Sequence, residues 1–145
     1  MKRLPIFVLP VLAVLAAPAG ACDRLAAAAA WVREPPPGSA ASAAFMTLSN
    51  PGAQAVTITG WEARGFGTTM LHETVFDGST ARMVMRDSLV VAPGAKVELR
   101  PGGLHLMLMK PSAPVTAGSS VALRLTCATG SLAIDAPVQR EDSAR

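Results

Sequence analysis

Signals for tight turns recur along this chain about every 8–12 residues, a spacing that leaves room for short strands and little room for helices. The clearest signals are Asn50-Pro51-Gly52, Asp77-Gly78, Pro93-Gly94 and Pro101-Gly102-Gly103. Between them lie segments rich in β-branched and apolar residues, such as Val56-Thr57-Ile58-Thr59 with its strand-like alternation. The pattern predicts an all-β protein, either a Greek-key sandwich or an open barrel.

About eight or nine short strands are expected from this spacing. They cover residues 31–33 with the alanines before them, 41–49, 56–61, 70–76, 80–85, 97–99, 104–109, 121–126 and 132–134. The alanine run 26–30 has high helix propensity. It has no amphipathic face, however, and it leads into Pro35-Pro36-Pro37, so we interpret it as part of the first strand. Asp77-Gly78 between two strand-like segments is typical of a β-hairpin.

The first 21 residues have the pattern of a secretory signal peptide. Lys2 and Arg3 form a positive start, residues 4–17 are almost entirely apolar, and Ala19-Gly20-Ala21 supplies small residues for cleavage. The apolar run is too short for a comfortable membrane span. Cleavage leaves 124 residues, which we divide into one β-sandwich domain over 22–138 and a polar tail over 139–145. The tail, together with residues 137 and 138, is expected to fray.

The charge of the mature chain argues against a nucleic-acid partner. Loss of Lys2 and Arg3 leaves 11 basic and 10 acidic residues, a net charge of +1. This balance provides no basic face of the kind that binds nucleic acid, and no later apolar run is long enough to span a bilayer. With the signal segment, these features predict an exported protein, which we expect to be a monomer.

Two cysteines, Cys22 and Cys127, remain in the mature chain. In an oxidising compartment such a pair favours a disulfide, which would close a loop of about 105 residues. Two alternatives stay open: free or intermolecular thiols, and a lipid anchor on Cys22 as the first mature residue. The anchor is disfavoured because Ala19-Gly20-Ala21 lacks the large aliphatic residue usual three positions before a lipidated cysteine.

Both histidines of the chain occur in one pattern with methionines. Ten residues separate His72 from Met83, twenty-one separate Met83 from His105, and one separates His105 from Met107. Two imidazoles and two thioethers suit Cu(I), a soft ion that prefers sulfur donors with imidazole as a borderline partner. Mg²⁺ and Ca²⁺ would require oxygen ligands, and structural Zn²⁺ takes thiolate, imidazole or carboxylate.

Strand periodicity predicts that these four residues share one surface. Within 104–109 the leucines fall on one face, the core face, while His105 and Met107 fall on the other, about 6–7 Å apart. His72 precedes the Asp77-Gly78 turn and Met83 follows it, so hairpin pairing is expected to bring them roughly opposite each other. The remaining methionines of the mature chain are interpreted as core residues or as residues at the rim of the site, with Met70 a substitute thioether. Those methionines are Met46, Met70, Met85 and Met109.

The spacing His72-x10-Met83-x21-His105-x-Met107 resembles the signature of the periplasmic PCu(A)C copper chaperone family. Leu71-His72-Glu73 and Val91-Ala92-Pro93-Gly94 are also similar to that family, and the resemblance covers about residues 28–138. It implies a cupredoxin-like β-sandwich that binds one Cu(I) per chain at the four motif residues. It also implies a role in loading cytochrome c oxidase, whose subunit II or a Sco-type protein would be the partner. The tail contains neither His nor Met, so the second copper site of some members is not expected.

Two other kinds of copper protein fit this sequence less well. A blue-copper electron carrier needs a Cys thiolate beside two His, and neither cysteine lies beside a histidine here. A copper oxidase would need more histidines than the two present. Copper buffering or resistance stays open as an alternative, and so does a structural β-sandwich that binds no metal. We expect a non-enzymatic protein.

Overall fold

The computed structural model describes residues 21–143, which form ten strands and two single-turn 3₁₀ segments. The strands are β1 (Ala26–Arg33), β2 (Ala41–Ser49), β3 (Val56–Ala63), β4 (Phe66–Asp77), β5 (Thr80–Arg86), β6 (Leu89–Val91), β7 (Lys96–Leu99), β8 (Leu104–Pro111), β9 (Ser120–Cys127) and β10 (Ser131–Gln139). The 3₁₀ segments are Cys22–Arg24 and Glu141–Ser143. The all-β prediction is confirmed, with ten strands in place of eight or nine. The predicted signal segment lies outside the described residues, apart from Ala21.

All these strands belong to one sheet with the order β5-β4-β8-β7-β2-β1-β10-β9-β3-β6. Its two parts, β5 to β1 and β10 to β6, are joined by a short parallel pairing in which Val32 faces Val138. The sheet turns on itself at this seam and buries a single core between its two parts. Leu48 and Leu106 enter that core from the first part, and Ile58 and Leu125 from the second. Two sheet faces packed over one core make a sandwich, as predicted from the turn spacing.

Several strands extend beyond their expected ends, β10 most of all, since it was expected over 132–134 and spans Ser131–Gln139. β4 and β6 differ as well. β4 begins at Phe66, four residues before its predicted start, because its pairing with β8 continues from Met70 to the Phe66–Pro111 pair. β6 was not predicted, since none of the turn signals identified in the sequence separates Leu89–Val91 from the preceding strand. It pairs with β3 at one edge of the sheet.

The predicted fraying is wrong for residues 137–139, which belong to β10. Val138 is buried, and its N–H donates to the carbonyl of Ser119 at 2.8 Å. Two ion pairs continue the attachment beyond the strand. Arg140 Nε lies 2.9 Å from Glu34 Oε2, and Arg33 Nη2 lies 3.2 Å from Glu141 Oε1. A polar composition alone therefore did not identify a loose segment.

Cys22 and Cys127 form a disulfide, and both residues are buried. The preferred sequence interpretation is confirmed, and this bond leaves neither sulfur free to carry a lipid. The backbone N–H of Cys22 also donates to the carbonyl of Thr129 at 2.9 Å. The bond therefore fixes the start of the described chain to the end of β9. Within residues 21–143 no helix is both long and apolar enough to cross a membrane.

Candidate metal centre

The His and Met residues of the sequence motif lie on one face of the sheet, across three adjacent strands. In the β4–β8 pairing His72 faces His105 and Met70 faces Met107. In the β4–β5 pairing His72 faces Met85 and Thr74 faces Met83. Directly paired residues share a sheet face, and so do residues two apart on one strand. We call this surface the methionine face; it carries Met70, His72, Met83, Met85, His105, Met107 and Met109.

Five of the six methionines within residues 21–143 lie on the methionine face. The sixth, Met46, is a core residue with 2% exposure. The opposite face of β4 and β8 points into the core and carries Leu71, Leu106 and Leu108, each 1% exposed or less. Alternation along the strands therefore separates aliphatic packing from the sulfur and imidazole groups.

The hairpin register differs by two residues from the sequence expectation. Asp77 pairs with Thr80, so the residue directly across from His72 is Met85 and the one across from Thr74 is Met83. Met83 is thus a diagonal neighbour of His72. Because side chains on a strand alternate with a period of two, the shift keeps Met83 on the predicted face.

His105 is buried, with 4% exposure, although it lies on the face that points away from the core. Its ring packs beside Phe45, at a centroid distance of 6.4 Å, and beside His72, at 6.0 Å. Its Nδ1 lies 3.0 Å from the carbonyl oxygen of Gly103. A carbonyl only accepts, so Nδ1 is the donor of this bond and, in the neutral ring, the lone pair is on Nε2. Metal-bound histidines are commonly oriented by such a bond.

His72 contacts His105 edge-on, with an interplanar angle of 77°. Its Nδ1 is buried and has no hydrogen-bond partner among the described residues. Burial lowers the pKa of His72 below its ordinary value, and repulsion from His105 lowers that pKa further. The lowered pKa favours the neutral imidazole of His72 at pH 7. A buried ring nitrogen without a partner needs an explanation, and a bound cation is one.

A cavity of about 220 Å³ opens beside this imidazole pair. Met83, His105 and Met107 line it together with Thr74 and Phe45, whereas His72 does not contribute to its wall. Three of the four motif residues therefore meet at one opening. The fourth lies next to His105 on the adjoining strand.

The cavity wall contains no carboxylate. Its charged group is Arg33, whose guanidinium carbon lies 5.1 Å from the centroid of the Phe45 ring. In the part of the chain that the structure describes, no three His, Cys, Asp or Glu side chains come together in a way that could hold a metal. The methionine face therefore offers a metal two imidazoles and several thioethers, and this donor set fits a soft ion.

Comparison with known proteins agrees with this arrangement. The family model described as "Putative lipoprotein LpqE-like" matches residues 25–138. The chain belongs to the LpqE-like family. A relative from Leifsonia xyli subsp. xyli (strain CTCB07), described as "Putative lipoprotein Lxx21020", is 30% identical over 115 residues, which is 79% of this LpqE-like chain and 68% of the relative.

Solved structures similar to this LpqE-like chain are PCuAC domains. The copper-bound PCuAC domain from PmoF2 superposes with a TM-score of 0.70 at 21% identity, over 83% of this chain and 97% of that one. The apo form of DR1885 from Deinococcus radiodurans has a TM-score of 0.63 at 26% identity and covers 99% of both chains. Its Cu(I) form has a TM-score of 0.64 at 28% identity, over 81% of this chain and 77% of that one. The resemblance to the PCu(A)C family is confirmed, and with it the fold.

From the sequence, Met85 was interpreted as a residue at the rim of the metal site, and neither Phe45 nor Arg33 was singled out. The register places Met85 directly beside His72, and the other two residues line the cavity. The hairpin pattern could have indicated Met85 if the turn register had been known. Phe45 and Arg33 reach the cavity through the order of strands β1, β2 and β8, which no local pattern encodes.

Proposed function

We propose that this protein is a periplasmic Cu(I)-binding chaperone that carries one copper ion and delivers it to a cuproprotein. The observation that supports this most strongly is the pair of imidazoles, His72 and His105, 6.0 Å apart on the methionine face. The proposed ligands are those two histidines with Met83 and Met107. An ion about 2 Å from one nitrogen of each ring lies about 3 Å from each ring centre, so one ion fits between two rings at this separation.

The donor set suits an ion that must later be released. All four proposed ligands are neutral, so the site would keep the single positive charge of Cu(I) without a thiolate to hold it. A partner that offers thiolates or more donors can therefore draw the ion away by ligand exchange. We propose no catalytic role for this protein. Among the similar structures, DR1885 was solved with Cu(I) and the PmoF2 domain with copper, which supports copper as the cargo.

The proposed recipient is the copper centre of cytochrome c oxidase subunit II, reached directly or through a Sco-type protein. A monomer in the periplasm suits a carrier that moves between a source of copper and this recipient. The alternative is copper buffering, in which the same site holds excess metal without passing it on.

Deletion of the gene is expected to lower oxidase activity when copper is scarce and to leave it near normal when copper is supplied in excess. A carrier matters most when its cargo is limiting, which is the reason for this difference. Oxidase activity in membranes from cells grown at both copper levels measures it. Normal activity at low copper, together with increased sensitivity to high copper, would favour buffering over delivery.

The affinity for Cu(I) is expected to be constant from about pH 8 to pH 7 and to fall below about pH 6. A proton and a copper ion compete for the same imidazole lone pair. Because the pKa of His72 is lowered, its neutral form persists into mildly acidic solution and is lost as the pH falls through that pKa. Competition titrations with a Cu(I) chelator at several pH values measure this. The same affinity at pH 5 as at pH 8 would exclude the imidazoles as ligands.

A further inference from the structure

Met85 has a position on the methionine face that the four-residue motif does not explain. It lies directly across from His72, whereas Met83 lies across from Thr74. Directly paired residues have Cβ atoms about 4.5–5.5 Å apart, and diagonal neighbours about 7–8 Å. The backbone therefore places Met85 closer to His72 than it places the proposed ligand Met83.

The side chains of Met83 and Met85 are both exposed and mobile. They lie on β5, the strand at the end of the sheet order, and they are 58% and 59% exposed. Methionine has three rotatable side-chain bonds, so an exposed thioether can move its sulfur over several ångströms at little cost. By contrast, the proposed ligand His105 is buried and its ring is held by Gly103. The mobile sulfur donors thus stand on the solvent side of the site and a fixed imidazole on the inner side.

We propose that Met85 is an alternative thioether ligand that exchanges with Met83 on the bound copper. This inference rests on the proposed function. In the exchange the copper bond to the sulfur of Met83 breaks as a bond to the sulfur of Met85 forms. Both donors are neutral, so the ion stays Cu(I), and neither a proton nor an electron moves. The exchange moves copper along the edge strand β5, from the diagonal neighbour of His72 to the residue directly across from it, with His72 as the ligand common to both states.

Met70 has a similar relation to Met107, which it faces across β4 and β8. It is half-buried and lies on an inner strand, so it cannot present copper at the sheet edge. Phe76 is another exposed apolar residue on the face of β4 that carries His72, but it has no sulfur. Phe76→Leu therefore offers a control that changes exposed apolar surface near β5 without removing a donor.

A double-mutant cycle tests the proposal. Cu(I) affinity would be measured anaerobically, in competition with bicinchoninate, for the wild type, Met83→Leu, Met85→Leu and the double variant. We expect about a twofold loss or less for Met85→Leu, about tenfold for Met83→Leu, and for the double variant a loss about tenfold greater than the product of the two. In the Met83→Leu variant, Met85 can take the place of Met83 as a ligand. In the double variant both sulfurs are lost, so no such replacement is available. As a control, the variant that combines Met83→Leu with Phe76→Leu is expected to lose Cu(I) affinity by the product of the two single losses.

A double variant whose loss equals the product of the single losses would overturn the exchange. That outcome differs from failure of the proposed function, in which the wild-type protein itself would not bind Cu(I). Leucine keeps the volume and apolarity of methionine, and the exposed positions on β5 leave the core intact. Circular dichroism of each variant confirms the fold independently of copper.

Discussion

Leucine at position 107 is expected to weaken Cu(I) binding by about 100-fold or more while leaving the protein folded. Loss of an outer partner of a metal ligand commonly costs about 10–100-fold in affinity, and loss of a ligand itself should cost at least as much. Met107 lines the cavity with His105 and is paired with Ala43 on β2, so its replacement must keep the volume of the side chain. Leucine does so and removes the sulfur. Competition with a Cu(I) chelator measures the loss.

Met109→Leu is the matched control for this variant. Met109 lies two residues along the same strand, on the same face, but it does not line the cavity. We expect its affinity to stay within a few-fold of the wild type and the thermal unfolding of both variants to be similar. Unchanged affinity in both Met107→Leu and Met83→Leu would show that the motif methionines are not ligands.

Removal of the disulfide has the largest expected effect on stability. The bond between Cys22 and Cys127 spans a sequence separation of 105 residues. In the chain-entropy model, closing a loop of this length restricts the unfolded chain and so raises the free energy of unfolding by about 4–5 kcal/mol. We therefore expect the double variant Cys22→Ser, Cys127→Ser to lose up to this amount of its free energy of unfolding. That is a large share of the total stability of a domain of this size. Denaturant unfolding measures the change.

Copper binding should survive the loss of the disulfide, because Cys22 and Cys127 lie outside the methionine face and do not line the cavity. The double Ser variant is expected to bind one Cu(I) with nearly the wild-type affinity under conditions in which it remains folded. The bond itself can be checked by intact mass before and after reduction and alkylation. Alkylation of both thiols without reduction, or a lipid mass on Cys22, would contradict the structure.

The class of the fold and the face of the site followed from local patterns. Alternation along 104–109 correctly separated the leucines from His105 and Met107. The register of the β4–β5 hairpin could not be obtained in this way, since a shift of two residues leaves every side chain on the same face. The choice between Met83 and Met85 as the partner of His72 therefore required the structure.

Contacts between segments distant in the chain were the second feature, after the hairpin register, that local sequence patterns could not predict. His105 is buried because β2 brings Phe45 beside it, although the two residues are sixty positions apart. Val138 is held in β10 by pairing with β9 and β1, which a polar composition does not reveal. Strand order sets both features, and it depends on the packing of the whole core.

Anaerobic titration of the purified mature protein with Cu(I) against a competing chelator tests the central claim most directly. We expect about one equivalent to bind tightly and Cu(II) to bind much more weakly, because two of the four proposed donors are soft thioethers. X-ray absorption of the loaded protein should then show nitrogen and sulfur donors together. Failure to bind any Cu(I), or tighter binding of Cu(II) than of Cu(I), would contradict the account.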